Sequence, residues 1–118
     1  MNCSYCYLQS YLTQPTTVLY SNIDQALNEL KEMADKFSQL PFRVGTGEIT
    51  DSLSLDLISL YSVQLIEFFK MYPKWTLEFK TKSALVDQFL NLEHAGNVTV
   101  SWSINPQFVI SSEEHGTA

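Results

Sequence analysis

A chain of 118 residues holds one domain at the usual ~100–200 residues per domain. Hydrophobic residues at 45% and charged residues at 17% exclude a disordered chain. Seven Lys+Arg against thirteen Asp+Glu leave a net charge of −6, which argues against nonspecific binding to nucleic acid or an anionic membrane, though a local basic cleft can hide in an acidic total.

The chain opens on Cys3-Ser4-Tyr5-Cys6-Tyr7-Leu8-Gln9, a single C-x-x-C. A secreted disulfide scaffold would use more cysteines, spread along the chain. No apolar run approaches the ~20 residues that span a bilayer, and no charged segment leads into an apolar one at the start. A cytoplasmic protein with no membrane partner is expected.

Ser21–Phe37 carries Ile23, Ala26, Leu27, Leu30, Met33, Ala34 and Phe37 at helical spacing, with Ser21 or Asn22 placed as cap. Pro41 stops that helix. Phe42–Thr46 reads as a short strand broken by Gly45 and Gly47. A second helix is expected over Leu55–Met71, capped by Ser54, with Leu57, Ile58, Tyr61, Leu65, Ile66, Phe68 and Phe69 buried. Trp75–Lys82 alternates: Trp75, Leu77 and Phe79 on one face, Thr76, Glu78, Lys80 and Lys82 on the other. A third helix is expected over Ser83–Leu92, closing at Gly96. Asn97–Asn105 is again an alternating strand, with Val98, Val100, Trp102 and Ile104 opposite Thr99, Ser101, Ser103 and Asn105.

Helix-length segments between strands imply crossovers and a parallel sheet. A sheet covered on both sides would show nearly continuous apolar strands. Here one face is polar, which fits a curved sheet with helices outside and a ligand-filled or wet concave side; an open, solvated face is the plain alternative. The predicted fold class is α/β: a partial (β/α) barrel of parallel strands alternating with helices, incomplete at both ends. So few strands cannot close an eight-stranded barrel. The terminal Ser111-Ser112-Glu113-Glu114 resembles a helix N-terminus with no helix behind it.

By itself the C-x-x-C supports a shared metal or a redox disulfide. A thioredoxin-like motif should follow a strand. Zinc needs two more ligands, and the chain offers only His94 and His115. An iron–sulfur cluster needs at least three thiolates. A dithiol redox protein using Cys3 and Cys6, and a non-catalytic α/β assembly or binding module, both stay open at this point.

Cys-Ser-Tyr-Cys-Tyr-Leu-Gln resembles the last two cysteines of the C-x3-C-x2-C cluster loop of radical S-adenosylmethionine enzymes, and in particular the spore photoproduct lyase family. Four further segments resemble that family in order along the whole chain. Gly45-Thr46-Gly47-Glu48 is similar to the second-strand segment that meets the methionyl amino group. Phe79-Lys80-Thr81-Lys82 is similar to the third-strand segment that contacts the cofactor. Ser101-Trp102-Ser103-Ile104-Asn105 resembles the fourth-strand Ser-Ile-Asn, and Glu114-His115-Gly116-Thr117 the segment leading the next helix.

The resemblance implies Cys3 and Cys6 as ligands of a [4Fe–4S] cluster, and Gly45, Gly47, Glu48, Ser52, Lys82, Ser103 and Asn105 as contacts of S-adenosylmethionine. Glu48 would pair with the ammonium, Lys82 with the carboxylate, and Ser103 and Asn105 with ribose hydroxyls. Tyr5 and Tyr7, flanking Cys6, are implied either in radical relay or in packing beside the cluster. On the residues alone, Glu48 is equally a loop carboxylate capping a helix and Lys82 a solvated strand-end charge.

Two departures stand out. The first cluster cysteine would lie ahead of Met1, and Ile49-Thr50-Asp51-Ser52 lacks the thiol that donates hydrogen in these lyases. The intact parent is expected to cleave the cofactor to a 5′-deoxyadenosyl radical, with DNA photoproduct repair as the implied function. This chain is expected to be a fragment, a single partial radical-SAM-type domain with a cluster-loop segment over 1–20 and helix–strand repeats over 21–118. It should be inactive alone, bind no cofactor, and self-associate through exposed barrel edges as a homo-oligomer.

Overall fold

The computed structural model describes residues 2–11 and 16–115, with the side chains of all but Asn2, Gln9 and His115. A two-residue strand β1 (Asn2–Cys3) leads through a turn into a 3-10 turn (Tyr7–Ser10). Helix α1 (Ile23–Phe37) precedes strand β2 (Phe42–Gly45). Two short helices, α2 (Asp56–Ser59) and α3 (Tyr61–Phe69), lead to β3 (Trp75–Thr81) and then β4 (Val98–Trp102). Helix α4 (Gln107–Glu113) runs into β5 (Glu114–His115), which pairs antiparallel with β1.

The main sheet is parallel in the order β2-β3-β4. Its register sets Gly45 beside Glu78 and Lys80 beside Ser101. The alternation read from β3 is the one observed. Trp75, Leu77 and Phe79 are at most 1% exposed and form the core with Phe69, Ile66, Leu53 and Ala34. Helices α1 and α3 supply that layer. Trp75 packs against the rings of Phe42, Phe69 and Tyr72. Burying aromatic area of this size drives the sheet and helices together, because each ring removes on the order of 150–250 Å² from water. Asn97 plugs the junction where α3 ends and β3 begins: its amide donates to the carbonyls of Phe69, Tyr72 and Trp75.

The helix expected over Leu55–Met71 is two helices, broken at Leu60, which adopts left-handed backbone with φ 52°. The cause is Asp56, buried at 2% exposure. Its carboxylate accepts from the backbone N–H and the hydroxyl of Ser62 at the start of α3, and from the amide of Gln88. Capping a helix six residues downstream forces the chain to turn back between them. The expected cap Ser54 makes no capping bond; the N-cap of α2 is Leu55. Leu57 and Ile58, expected inside, are exposed because the break rotates α2 away from the core.

The helix expected over Ser83–Leu92 is a series of turns. Its first carbonyl, Ser83 O, accepts from the Trp102 indole, and Gln88 is drawn to Asp56, so the local ladder loses to tertiary partners. Phe89 still reaches the core, stacked on Phe79 at 5.7 Å. The strand expected to reach Asn105 ends at Trp102, which is half exposed rather than inward. Ser111-Ser112-Glu113 forms the last turn of α4, not the first turn of a helix: Ser111 and Ser112 hydroxyls donate back to the Gln107 and Phe108 carbonyls. Gly116 and Thr117 lie outside the described residues. Among the described residues no helix is long and apolar enough to cross a membrane.

Candidate functional site

Polar side chains on β3 and its neighbours form two groups. The first lies mid-sheet. Arg43 on β2 forks onto Glu78, with Nε 3.0 Å and Nη2 2.6 Å from the two carboxylate oxygens, and Ser101 on β4 adds a third bond at 2.9 Å. Arg43 and then Ser101 hold the Glu78 carboxyl below the usual carboxylate range. Around this pair opens a depression of roughly 320 Å³, lined by Arg43, Gly45, Gly47, Glu48, Glu78 and Lys80. That volume lies in the range of small-molecule sites. Glu48 is exposed on its rim, and a Cβ on Gly45 would meet open space, so the floor is free for a ligand.

Gly47 serves a different purpose. A Cβ there would come within 2.6 Å of the Thr50 carbonyl and 2.9 Å of the Ser52 hydroxyl. Only a glycine lets the loop fold back tightly enough to clamp β3. Ser52 exchanges bonds with Lys80, its N–H donating to Lys80 O and its Oγ accepting from Lys80 N–H, each at 3.0 Å. Asp51 accepts from the Thr81 hydroxyl at 2.8 Å and the Lys82 N–H at 2.7 Å. The segment without a thiol is thus a carboxylate–hydroxyl clamp that fixes the backbone of Lys82.

The second group sits at the strand ends. The Lys82 ammonium donates to Glu114 at 2.8 Å and to the Ser103 carbonyl at 3.0 Å. Asn105 donates to Glu114 and, at 2.8 Å, to the Tyr5 hydroxyl, which in turn donates to Glu114. Side chains of Lys82 and Glu114 are 21% and 2% exposed. Lys82, Tyr5 and Asn105 together hold the Glu114 carboxyl down at about 2. Burial works against the Lys82 charge, but Glu114 and Tyr5 outweigh it and the ammonium is raised above its ordinary value. The bond to Glu114 raises the Tyr5 phenol in turn.

Of the residues singled out in the sequence, Tyr5, Lys82, Ser103 and Asn105 meet here; Ser103 contributes its carbonyl, and its side chain is exposed. Cys3 is buried and pairs with Glu114 in the β1–β5 ladder, while Cys6 is half-buried, its N–H closing a turn onto Cys3 O. Neither forms a disulfide. Tyr7 is exposed and meets the Tyr11 ring edge-on at 6.0 Å. Gly45, Gly47 and Glu48 belong to the mid-sheet group and Ser52 to the clamp. His94 accepts from the Gly96 N–H at the surface.

Glu114, Asp51, Glu78 and Arg43 were not singled out as site residues. Arg43–Glu78 was within reach of the alternation pattern, since both lie on the polar face of paired strands. Glu114 was read only as part of the segment that leads the next helix, with no signal for its meeting with Lys82 and Tyr5.

Two thiols give only part of an iron–sulfur donor set, and among the described residues no three His, Cys, Asp or Glu side chains are arranged to hold a metal. An amino acid carboxylate suits the Lys82 ammonium, which Glu114 and the Ser103 carbonyl hold and whose side chain is 21% exposed.

A family model described as spore photoproduct lyase matches residues 1–118. The spore photoproduct lyase of Geobacillus sp. (strain Y412MC61) is 29% identical over 99% of this chain and 35% of its own length. That of Bacillus subtilis (strain 168) is 30% identical over 99% of this chain and 34% of its own. A solved structure of spore photoproduct lyase complexed with dinucleoside spore photoproduct matches with a TM-score of 0.87 and 29% identity, over 99% of this chain and 35% of that one. A mutant with bound AdoMet and dinucleoside spore photoproduct matches equally, also with a TM-score of 0.87. The chain spans about a third of the length of these relatives.

Proposed function

The chain belongs to the spore photoproduct lyase family, and from that premise we propose that it forms part of a (β/α) barrel that binds S-adenosylmethionine for repair of a DNA photoproduct. Its residues act as one partial domain, 1–20 as the cluster loop and 21–118 as helix–strand repeats. The observation that carries this reading is the meeting of Lys82, Asn105 and Tyr5 on Glu114, directly beside Cys3. Side chains from two successive parallel strand ends and from the cysteine loop thereby share one place, where α/β barrels build their sites.

A [4Fe–4S] cluster with S-adenosylmethionine would supply radical chemistry at this place, so the difficult chemistry would be the cofactor's. This chain's residues bind and orient. Cys3 and Cys6 give two thiolates. Lys82 offers its ammonium to the methionyl carboxylate, a charge-assisted bond. Glu48 receives the ammonium at the rim of the depression, where Gly45 leaves space and Gly47 with Ser52 keeps the loop against β3. The Ser103 hydroxyl and Asn105 serve the ribose. Tyr5, already bonded within the group, is the better placed of the two tyrosines for relay, and Tyr7 shields the loop. With two thiolates and no third, the isolated chain is inactive.

The test is anaerobic reconstitution of the full-length protein carrying this chain with iron and sulfide. The expected result is a brown protein whose reduced cluster gives an electron paramagnetic resonance signal that changes on adding S-adenosylmethionine, lost in Cys3→Ala and Cys6→Ala. A colourless protein with a stable Cys3–Cys6 disulfide would overturn the reading in favour of a dithiol redox role.

A further inference from the structure

We infer that Glu114 is a positioning residue that sets the Cys3–Cys6 loop against Lys82; its purpose rests on the cofactor-binding reading above. Three donors from three distant segments reach one carboxylate oxygen of Glu114: the Tyr5 hydroxyl, the Lys82 ammonium and the Asn105 amide. The carboxylate is 2% exposed, so water competes little for it. Backbone pairing alone is a weak anchor for this loop. β1 and β5 are two residues each, and an isolated two-stranded ladder is marginal even when longer. Beside it the Ser4 N–H donates to the Glu113 carbonyl at 2.8 Å and the Ser4 hydroxyl to the Glu113 carboxylate, which is more exposed. The Tyr5 bond ties the same loop to a buried carboxylate that Lys82 also holds.

The same contact decides how Lys82 presents itself. With Glu114 and the Ser103 carbonyl both accepting from it, the ammonium is held in one place. A recess of roughly 30 Å³, about the space of one water, lies between Lys82, Asn105 and Glu114. Removing the carboxylate frees both the lysine and the loop, and the two lose their common reference.

Hydrogen exchange on the chain itself tests this, with wild type compared to Glu114→Gln, Glu114→Ala and Lys82→Met. The amides of Ser4 and Cys6 should lose at least tenfold protection in each variant. Glu114→Gln combined with Lys82→Met should lose no more than either alone, since the groups act as one unit. The Leu77 amide, bonded to Asn97 O within the core, should stay protected. Unchanged loop protection, fully additive losses, or loss at Leu77 as well would overturn the inference.

A second readout moves only if Lys82 is being aimed. By calorimetry on the full-length protein carrying this chain, Glu114→Gln should weaken S-adenosylhomocysteine at least fivefold and leave 5′-methylthioadenosine, which has no carboxylate, unchanged. Equal weakening of both overturns the positioning role. A full-length wild-type protein that binds neither overturns the cofactor-binding reading, and the exchange data then decide the role of Glu114 in docking the loop.

Discussion

The two polar groups on this sheet are built from the same parts and differ in how the parts arrive. In mid-sheet, Arg43, Glu78 and Ser101 come from three neighbouring strands, two positions apart along the ladder, and the cation is 61% exposed over an open depression. At the strand ends, Lys82 and Glu114 are 21% and 2% exposed, and the carboxylate reaches them from the far end of the chain. The first group is a consequence of strand pairing. The second exists only when the loop at the start, the strand end in the middle and the ladder at the finish are all in place. An open group on neighbouring strands suits a ligand that enters and leaves; a closed, convergent one suits a fixed frame that aims a single charge.

Gly47→Ala should produce the largest effect, disturbing the open group and, through Asp51 and Ser52, the clamp on the backbone of Lys82. Its Cβ would overlap the Thr50 carbonyl at 2.6 Å, a backbone atom that cannot swing aside. Overpacking of this kind costs about 1–3 kcal/mol. Gly45→Ala, with open space at the same face, should leave stability unchanged. Chemical denaturation of both variants checks the contrast.

Acid unfolding sharpens it. The folded-state carboxyl of Glu114 lies at about 2, below its ordinary 4.5. The unfolded chain therefore binds its proton first as pH falls, so the stabilisation is full above about pH 4.5 and is lost as pH drops through about 2. Glu114→Gln should flatten the dependence of stability on pH across that window. Glu78→Gln should flatten it less, because the exposed Arg43 is better screened by solvent. Equal slopes would mean that the two carboxylates are held alike.

What could be read from the sequence follows the same division. Two-residue alternation placed Trp75, Leu77 and Phe79 inside and Glu78 and Lys80 on the opposite face, where Lys80 is exposed and Glu78 is buried beneath Arg43, because strand geometry is local. The three- and four-residue spacing of Ile23, Leu27, Leu30 and Ala34 placed α1 for the same reason. Distant partners defeated the rest. Asp56 reaches forward to Ser62 and Gln88, which breaks one expected helix and draws on the residues of another, and the Trp102 indole takes the carbonyl that would have started the latter. Lys82, Ser103 and Asn105 were legible as a motif in series, but the residue on which they meet was not. Glu114 sits 32 positions from Lys82 and 109 from Tyr5, and no spacing rule spans such gaps.

The central claim is that the open depression and the closed strand-end group serve one ligand. Nuclear magnetic resonance mapping of the full-length protein carrying this chain, during titration with S-adenosylhomocysteine, tests it most directly. The account predicts that signals of Gly45–Glu48 and of Lys82 with Ser103–Asn105 shift together, with one dissociation constant. Shifts confined to one group, or to neither, would contradict it.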